Sequence, residues 1–243
     1  MDRVVQPEWL DSLPPEDPRA IGSRRDLRRL NAWMGNLGIA TRAVHHHRSK
    51  LPTQPARGGG RQPVRLVDLG AGDGTFCLGL ARRLAPEWPQ ARVWLVDQAT
   101  PTSPGLFEGF RRIGWEPLLV RQDALAWLGQ PESPAADVIV ANLFLHHFAE
   151  PALRLLLGRI AARTRLVVAC EPRRSWAALA ASRLLWSLGC NAVTRHDARC
   201  SVRAGFHQRE LAALWPEATG WRLHEGRAGW FSHLFVAERR NGG

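Results

Sequence analysis

The chain has 243 residues, 45% of them hydrophobic, which is enough to bury the core of one α/β domain with an appendage and excludes a disordered chain. Its 33 cations against 22 acids leave a net charge of +11, which alone would point to a polyanionic partner; but Lys50 is the sole lysine and eleven tryptophans stand beside no tyrosine, so part of the charge reflects lopsided residue usage. No apolar run approaches the roughly 20 residues of a bilayer span, and the Pro-rich start lacks a signal peptide's charged end and apolar run, so a cytoplasmic protein without membrane insertion is expected.

Residues 1–63 read as an N-terminal helical lid and flexible linker, rich in proline at Pro7, Pro14, Pro15, Pro18, Pro52, Pro55 and Pro63 and ending in Arg57-Gly58-Gly59-Gly60. One helix is predicted there, from Ser23 to Leu37, with Ser23 as its cap and Leu27, Leu30, Trp33, Met34 and Leu37 recurring at helical spacing. Arg24, Arg25, Arg28 and Arg29 take the opposite face, read as solvated. The triplet His45-His46-His47 is read as loop composition, because consecutive side chains diverge and do not converge on one ion; no metal site is expected.

From Val64 onward, apolar runs alternate with helical stretches, the pattern of a parallel sheet with crossover helices. Strands are predicted at Val64–Leu69, Arg92–Val96, Pro117–Arg121, Asp137–Asn142 and Arg165–Cys170, with helices at Thr75–Leu84, Gly105–Arg112, Pro151–Ala162 and Ser175–Leu188. A short helix at Gln208–Leu214 and two strands, Trp221–Glu225 and Phe231–Ala237, close the chain as an antiparallel unit. The cysteines, Cys77, Cys170, Cys190 and Cys200, form no C-x-x-C pair and read as reduced thiols.

The segment Val64-Arg65-Leu66-Val67-Asp68-Leu69-Gly70-Ala71-Gly72-Asp73-Gly74-Thr75 runs from a buried strand through a glycine turn into a helix, turning bare amides toward a ligand. A dinucleotide oxidoreductase would want G-x-G-x-x-G/A, whereas Thr75 holds the third small position and the last glycine comes one residue early, at Gly74. Asp68, immediately before the turn, would repel a pyrophosphate and suits a cationic cofactor.

Asp68 to Gly74 resembles the first motif of the class I S-adenosylmethionine-dependent methyltransferases. Asp97 ends the second strand where that family binds ribose hydroxyls, Asp123-Ala124 follows the third strand like its adenine-contacting pair, and Asn142-Leu143-Phe144-Leu145-His146-His147 resembles its fourth motif. The resemblance runs from Val64 to about Glu238 and implies a doubly wound, mostly parallel Rossmann-like α/β sheet with an antiparallel terminal strand. It places Asp68, Gly70, Ala71, Gly72, Gly74, Asp97, Gln98, Asp123, Ala124 and Asn142 around S-adenosylmethionine, within a cofactor-binding domain at 64–243.

Ligands of a parallel sheet bind at the carboxyl ends of its strands, the edge on which His146 and His147 follow the fourth strand and Glu171 follows the fifth. His146 is read as the proton acceptor, with His147 as the alternative and Glu171 orienting the ring. The chain lacks the Asn/Asp-Pro-Pro-aromatic motif of nucleobase amino methyltransferases, and Cys170 lacks a cytosine methyltransferase setting, so nucleic acid is disfavoured as a partner.

An excursion at about 172–206 would shape the acceptor pocket. With Asp17 to Ile21 and Arg24 to Asn36, the segments Glu171 to Trp176 and Arg195 to Phe206 resemble bacterial methyltransferases associated with type III polyketide synthases. That resemblance implies O-methylation of a small aromatic, phenolic acceptor in secondary metabolism, with Trp33, Met34 and Trp176 as pocket residues. The competing readings are an RNA methyltransferase, a nicotinamide oxidoreductase and a non-catalytic cofactor-binding domain.

Overall fold

Seven strands form one sheet in a computed structural model that describes residues 1–14, 16–47, 62–99, 105–216 and 218–240. The glycine run at 57–60 lies outside the described residues. The strands are β1 (Val64–Leu69), β2 (Ala91–Asp97), β3 (Trp115–Arg121), β4 (Ala136–Asn142), β5 (Thr164–Pro172), β6 (Trp221–Ala228) and β7 (Ser232–Arg239), in the order β3-β2-β1-β4-β5-β7-β6. β1 to β5 are parallel; β7 lies antiparallel between β5 and β6. The central strands β1, β4 and β5 are buried on both faces, as a parallel sheet covered by helices requires, whereas β3 at the edge is largely half-buried or exposed. The closing strands, read as a pair, also zip onto β5, setting Cys170 opposite Leu234 and Glu171 opposite His233.

Ten α-helices are described: α1 (Trp9–Ser12), α2 (Pro18–Met34), α3 (Asn36–His47), α4 (Thr75–Leu84), α5 (Leu106–Arg111), α6 (Ala124–Leu128), α7 (Glu150–Arg163), α8 (Trp176–Arg183), α9 (Ala192–Ala204) and α10 (Glu210–Leu214). Strand alternation sends Leu66 and Val138 to one core with Ile39, Val44, Leu80 and Phe110, and Val67 and Ile139 to the other with Leu156, Ile160 and Trp215. Each such side chain contributes about 1.5–3 kcal/mol on burial. No helix among the described residues is long and apolar enough to cross a membrane.

The N-terminal helices differ from the sequence expectation. Asp17, not Ser23, caps α2, its carboxylate accepting from Arg19 N at 2.8 Å, and Pro18 occupies the first position, where its missing N–H costs nothing. Gly35, at φ 72°, stops the helix. Ser23 lies buried inside α2, its hydroxyl 3.0 Å from Thr194 Oγ1 and hydrogen-bonded to it. The histidine triplet is not loop: it forms the last turn of α3, a helix whose Ile39, Ala40, Ala43 and Val44 enter the core. Its rings diverge, His45 Nδ1 meeting Glu87 at 2.8 Å and His47 Nδ1 meeting Glu238 at 3.1 Å.

The arginine face of α2 is also more than solvated. Arg28 reaches Asp73 at 3.1 Å, tying α2 to the glycine turn, and Asp26 accepts from Asn191 N and Thr194 Oγ1, tying it to α9. The excursion after β5 resolves into α8, a 3-10 turn at Leu184–Trp186, and α9.

Candidate active site

The turn between β1 and α4 takes its shape from three glycines in the left-handed region, Gly70 at φ 69°, Gly72 at φ 55° and Gly74 at φ 76°. A Cβ at Gly70 would lie 2.3 Å from the Phe144 ring, so this glycine lets β4's exit loop close onto the turn. At Gly72 a Cβ would meet nothing within 4 Å, so here the bare backbone faces open space at the carboxyl end of the sheet.

Asp68 lies beneath the turn with 1% exposure, on the strand face that carries Leu66. Its Oδ2 has no hydrogen-bond partner, and burial pushes the carboxyl up to about 8, only partly offset by the Cys77 thiol and reinforced by Asp97. An orphaned buried carboxyl beside open backbone fits a cationic group and opposes a phosphate.

At the end of β2, Asp97 accepts from Gly72 N through Oδ2 and from Ala99 N through Oδ1, both at 2.8 Å, which fixes its carboxylate beside the turn with lone pairs to spare. Asp123 caps α6 through Oδ1, and its Oδ2 accepts from Gln98 Nε2 at 3.1 Å. Ala71 and Ala124 are buried in the two cores, leaving mainly their backbone to a ligand. The Asn142 side chain points to the start of α3, its Oδ1 accepting from Asn36 Nδ2 at 2.9 Å, while Asn36 in turn accepts from Ser232 Oγ.

The exit from β4 is held by one carboxylate. Leu143 adopts φ 54°, which costs a non-glycine residue on the order of 1–3 kcal/mol, and its N–H donates to Cys170 O at 2.9 Å. Glu171, fully buried in β5, accepts from the amides of Phe144, Leu145 and His146 at 3.1, 2.9 and 3.3 Å, and from His146 Nδ1 at 2.8 Å. The carboxylate acceptor fixes the tautomer, so Nε2 is the ring's other face.

That second face meets Glu8, a residue with no motif around it in the sequence. His146 Nε2 lies 3.5 Å from Glu8 Oε1 without hydrogen-bond geometry, a charge contact rather than a formed bond. Burial acts to lower the imidazole, but the hydrogen bond to Glu171 and the charge of Glu8 outweigh it and push His146 up to about 9. His147, packed 4.2 Å from that ring and far more exposed, is moved the other way by burial and by its charged neighbour.

Glu8, His146 and His147 bring one ligand atom each within 4.8 Å of one another, with the His146 ring lying between the carboxylates of Glu171 and Glu8. The arrangement suits an imidazole between carboxylates.

The segment carrying Glu8 is clamped from both sides. Trp9 N and Leu10 N donate to Asp197 at 2.8 and 3.0 Å, satisfying the open start of α1, and Ser201 Oγ donates to Glu8. Arg3 reaches the carbonyls of Ala204, His146 and Phe148, its guanidinium 4.7 Å from the Phe206 ring. Trp33 and Trp176, read as pocket residues, are 61% and 72% exposed; Trp33 stacks on Phe231 at 4.9 Å. Cys170 is buried among core residues, with its thiol pushed well up by burial.

A methyltransferase domain family model matches residues 9–225. Trans-aconitate 2-methyltransferase of Rhodococcus jostii (strain RHA1) is 37% identical over 90 residues, 37% of this chain and 30% of that protein, so the match spans under a third of the curated relative. Among solved structures, the plantazolicin methyltransferase BpumL with SAH aligns at a TM-score of 0.62 and 13% identity, over 93% of this chain and 92% of that one. The 1,6-didemethyltoxoflavin-N1-methyltransferase of Burkholderia thailandensis, with S-adenosylhomocysteine bound, aligns at 0.57 and 19% identity, over 98% and 94%. At these identities the structures share the fold.

Proposed function

The chain belongs to the methyltransferase domain family, and we propose that it transfers a methyl group from S-adenosylmethionine to an oxygen of a small aromatic, phenolic acceptor. The observation that carries the cofactor reading is the buried, unpartnered Asp68 Oδ2 beneath the open Gly72 backbone. S-adenosylmethionine supplies an electrophilic methyl on a sulfonium, along with an ammonium that a carboxylate can pair. The amides of Gly70, Ala71 and Gly74 donate to Val96 O and Ala71 O and that of Gly72 to Asp97, so the turn presents its open backbone surface rather than bare amides; Asp68 would hold the ammonium, Asp97 the ribose, and Asp123 with Gln98 the base. Asn142 and the Phe144 ring, packed against Gly70, would help exclude water from the reacting end.

The acceptor reading rests on the His146–Glu171 pair. A phenol must lose its proton as its oxygen attacks, and an imidazole oriented through Nδ1 offers Nε2 to take it. Because Glu8 faces Nε2, the acceptor hydroxyl would take the place of that carboxylate or pass its proton through it. His147 is the alternative proton acceptor. The arginine usage behind the +11 charge also keeps RNA as a substrate to be tested. Incubation with radiolabelled S-adenosylmethionine and separate pools of phenols, polyketide resorcinols, aromatic amines and total RNA tests the reading. Label is expected in the phenolic pools; label in RNA or amines alone would overturn the acceptor assignment.

Gly72→Ala separates cofactor binding from folding. The left-handed backbone costs an L-residue about 1–2 kcal/mol, and the added methyl clashes with nothing in the protein. A melting temperature lowered by only a few degrees is expected beside a cofactor Kd raised about tenfold or more, measured by calorimetry. An unchanged Kd would remove the Gly72 backbone from the binding surface.

A further inference from the structure

A second concave site lies away from the glycine turn, between α1, α8 and α9. This open cleft has a volume of about 340 Å3, within the range of small-molecule clefts; it is built mainly from the excursion expected to shape the acceptor pocket, but none of the residues assigned to the methyl-transfer chemistry lines it. Its floor is one face of α9: Ala192, Arg195, His196 and Arg199 stand at helical spacing, while the buried face of the same helix turns Thr194 and Asp197 to α2 and α1. Arg183 and Trp186 close the cleft from α8 and the turn after it, and Trp9 closes it from α1.

Two chemistries meet here. The walls are aromatic: Trp9 stacks on His196 at 3.8 Å with the rings 8° from parallel, and Trp186 is 63% exposed. The polar groups are mainly cationic, with Arg199 Nε donating to Arg195 O at 3.1 Å and His196 Nδ1 meeting Asp197 Oδ1 at 3.0 Å. Among the described residues no carboxylate pairs with Arg183, Arg195 or Arg199, the Arg195 Nε is buried without a hydrogen bond, and no acid lines the cleft. A buried guanidinium N–H left open costs on the order of 1–3 kcal/mol, which a ligand acceptor would recover. The first turn of α9 adds its positive end to the same cleft.

We propose that this cleft binds a planar aromatic ligand bearing a carboxylate or phosphate, its ring against the Trp9–His196 stack and Trp186 and its anion on Arg195, Arg199 and Arg183. Bidentate guanidinium contacts recognise either anion, and the flat aromatic faces select for a ring beside it. The ligand would also bear on the reaction, because Trp9 directly follows Glu8, the residue facing His146. A molecule seated against Trp9 would fix the segment that sets that carboxylate.

Calorimetry on the full chain decides this, with three probes: 2-naphthoate, its uncharged amide 2-naphthamide, and AMP. Saturable binding of 2-naphthoate is expected, with 2-naphthamide at least tenfold weaker. Arg195→Gln combined with Arg199→Gln should weaken 2-naphthoate at least tenfold while S-adenosylmethionine binds as in the parent, which reports intact folding. AMP binding as tightly as 2-naphthoate, and weakened by the same double variant, would assign the natural ligand to nucleotides, whereas AMP binding that is absent or indifferent to the double variant would assign it to aromatic acids. Equal affinity for acid and amide, no saturable binding of 2-naphthoate or AMP, or undiminished 2-naphthoate binding in the double variant would overturn the proposal. The acid and amide comparison needs no variant, and none of the readouts needs methyl transfer, so failure here is distinct from failure of the proposed reaction.

Discussion

His146→Gln is expected to lower kcat by about 10²- to 10⁴-fold, the usual worth of a positioned proton acceptor, with S-adenosylmethionine affinity unchanged. The ring is suited to that task by two carboxylates of different rank. Glu171 is fixed, since it also holds three backbone amides of the β4 exit and is fully buried. Glu8 rides on the N-terminal segment and makes only a 3.5 Å charge contact.

Both favour the imidazolium, so the neutral ring that accepts a proton becomes abundant only as the pH climbs toward about 9. The parent enzyme's kcat should therefore rise with pH across the neutral range, and Glu8→Gln, by removing one of the two negative neighbours, should move the rise to lower pH. Retained turnover in His146→Gln with an unchanged pH profile would take the ring out of the chemistry. The same pair links stability to pH: its folded pKa exceeds the unfolded value of about 6.5, so its stabilising contribution is full below about 6.5 and is lost as pH rises through about 9.

The parts of this site legible in the sequence are those that local pattern specifies. The central parallel strands are legible because strands buried on both faces read as unbroken apolar runs, and a glycine turn after such a run has few uses. Asp97 and Asn142 stand out in the sequence because each ends a strand, and Asp68 because it lies one residue before the end of β1. Helix α9 was missed because its buried face includes Thr194 and Asp197, polar residues paid for by Asp26, Trp9 N and Leu10 N from remote segments. Without those partners its apolar stripe is too thin to see. Glu8 and Asn36 were missed for the same reason: each gains its meaning from a residue on the far side of the chain, His146 in one case and Asn142 in the other. Helix α3 was hidden by a histidine triplet of which His45 meets Glu87 and His47 meets Glu238. Local composition predicted loop, and tertiary packing of Ile39, Ala40 and Val44 overrode it.

Asp68→Asn is expected to weaken S-adenosylmethionine by about 10- to 150-fold, equivalent to ~1.5–3 kcal/mol for losing a charge-assisted hydrogen bond, while stabilising the unliganded protein at neutral pH. The two effects have one cause. Burial raises the folded-state carboxyl to about 8, against about 3.9 unfolded, so the unliganded chain loses stability as pH rises from about 4 until the group ionises near 8. The neutral amide has no proton to lose and removes that slope. A bound ammonium reverses the logic: it favours the ionised carboxylate, so binding expels a proton from Asp68 and tightens as pH rises. Between pH 5.5 and 7.5, where the cofactor keeps its ammonium, the thermal stabilisation given by S-adenosylmethionine should grow with pH in the parent and stay flat in Asp68→Asn. Calorimetry in buffers of different ionisation enthalpy would count the released proton directly. A pH-independent cofactor affinity in the parent would mean that the orphaned oxygen beneath the glycine turn is answered by something other than the cofactor's charge.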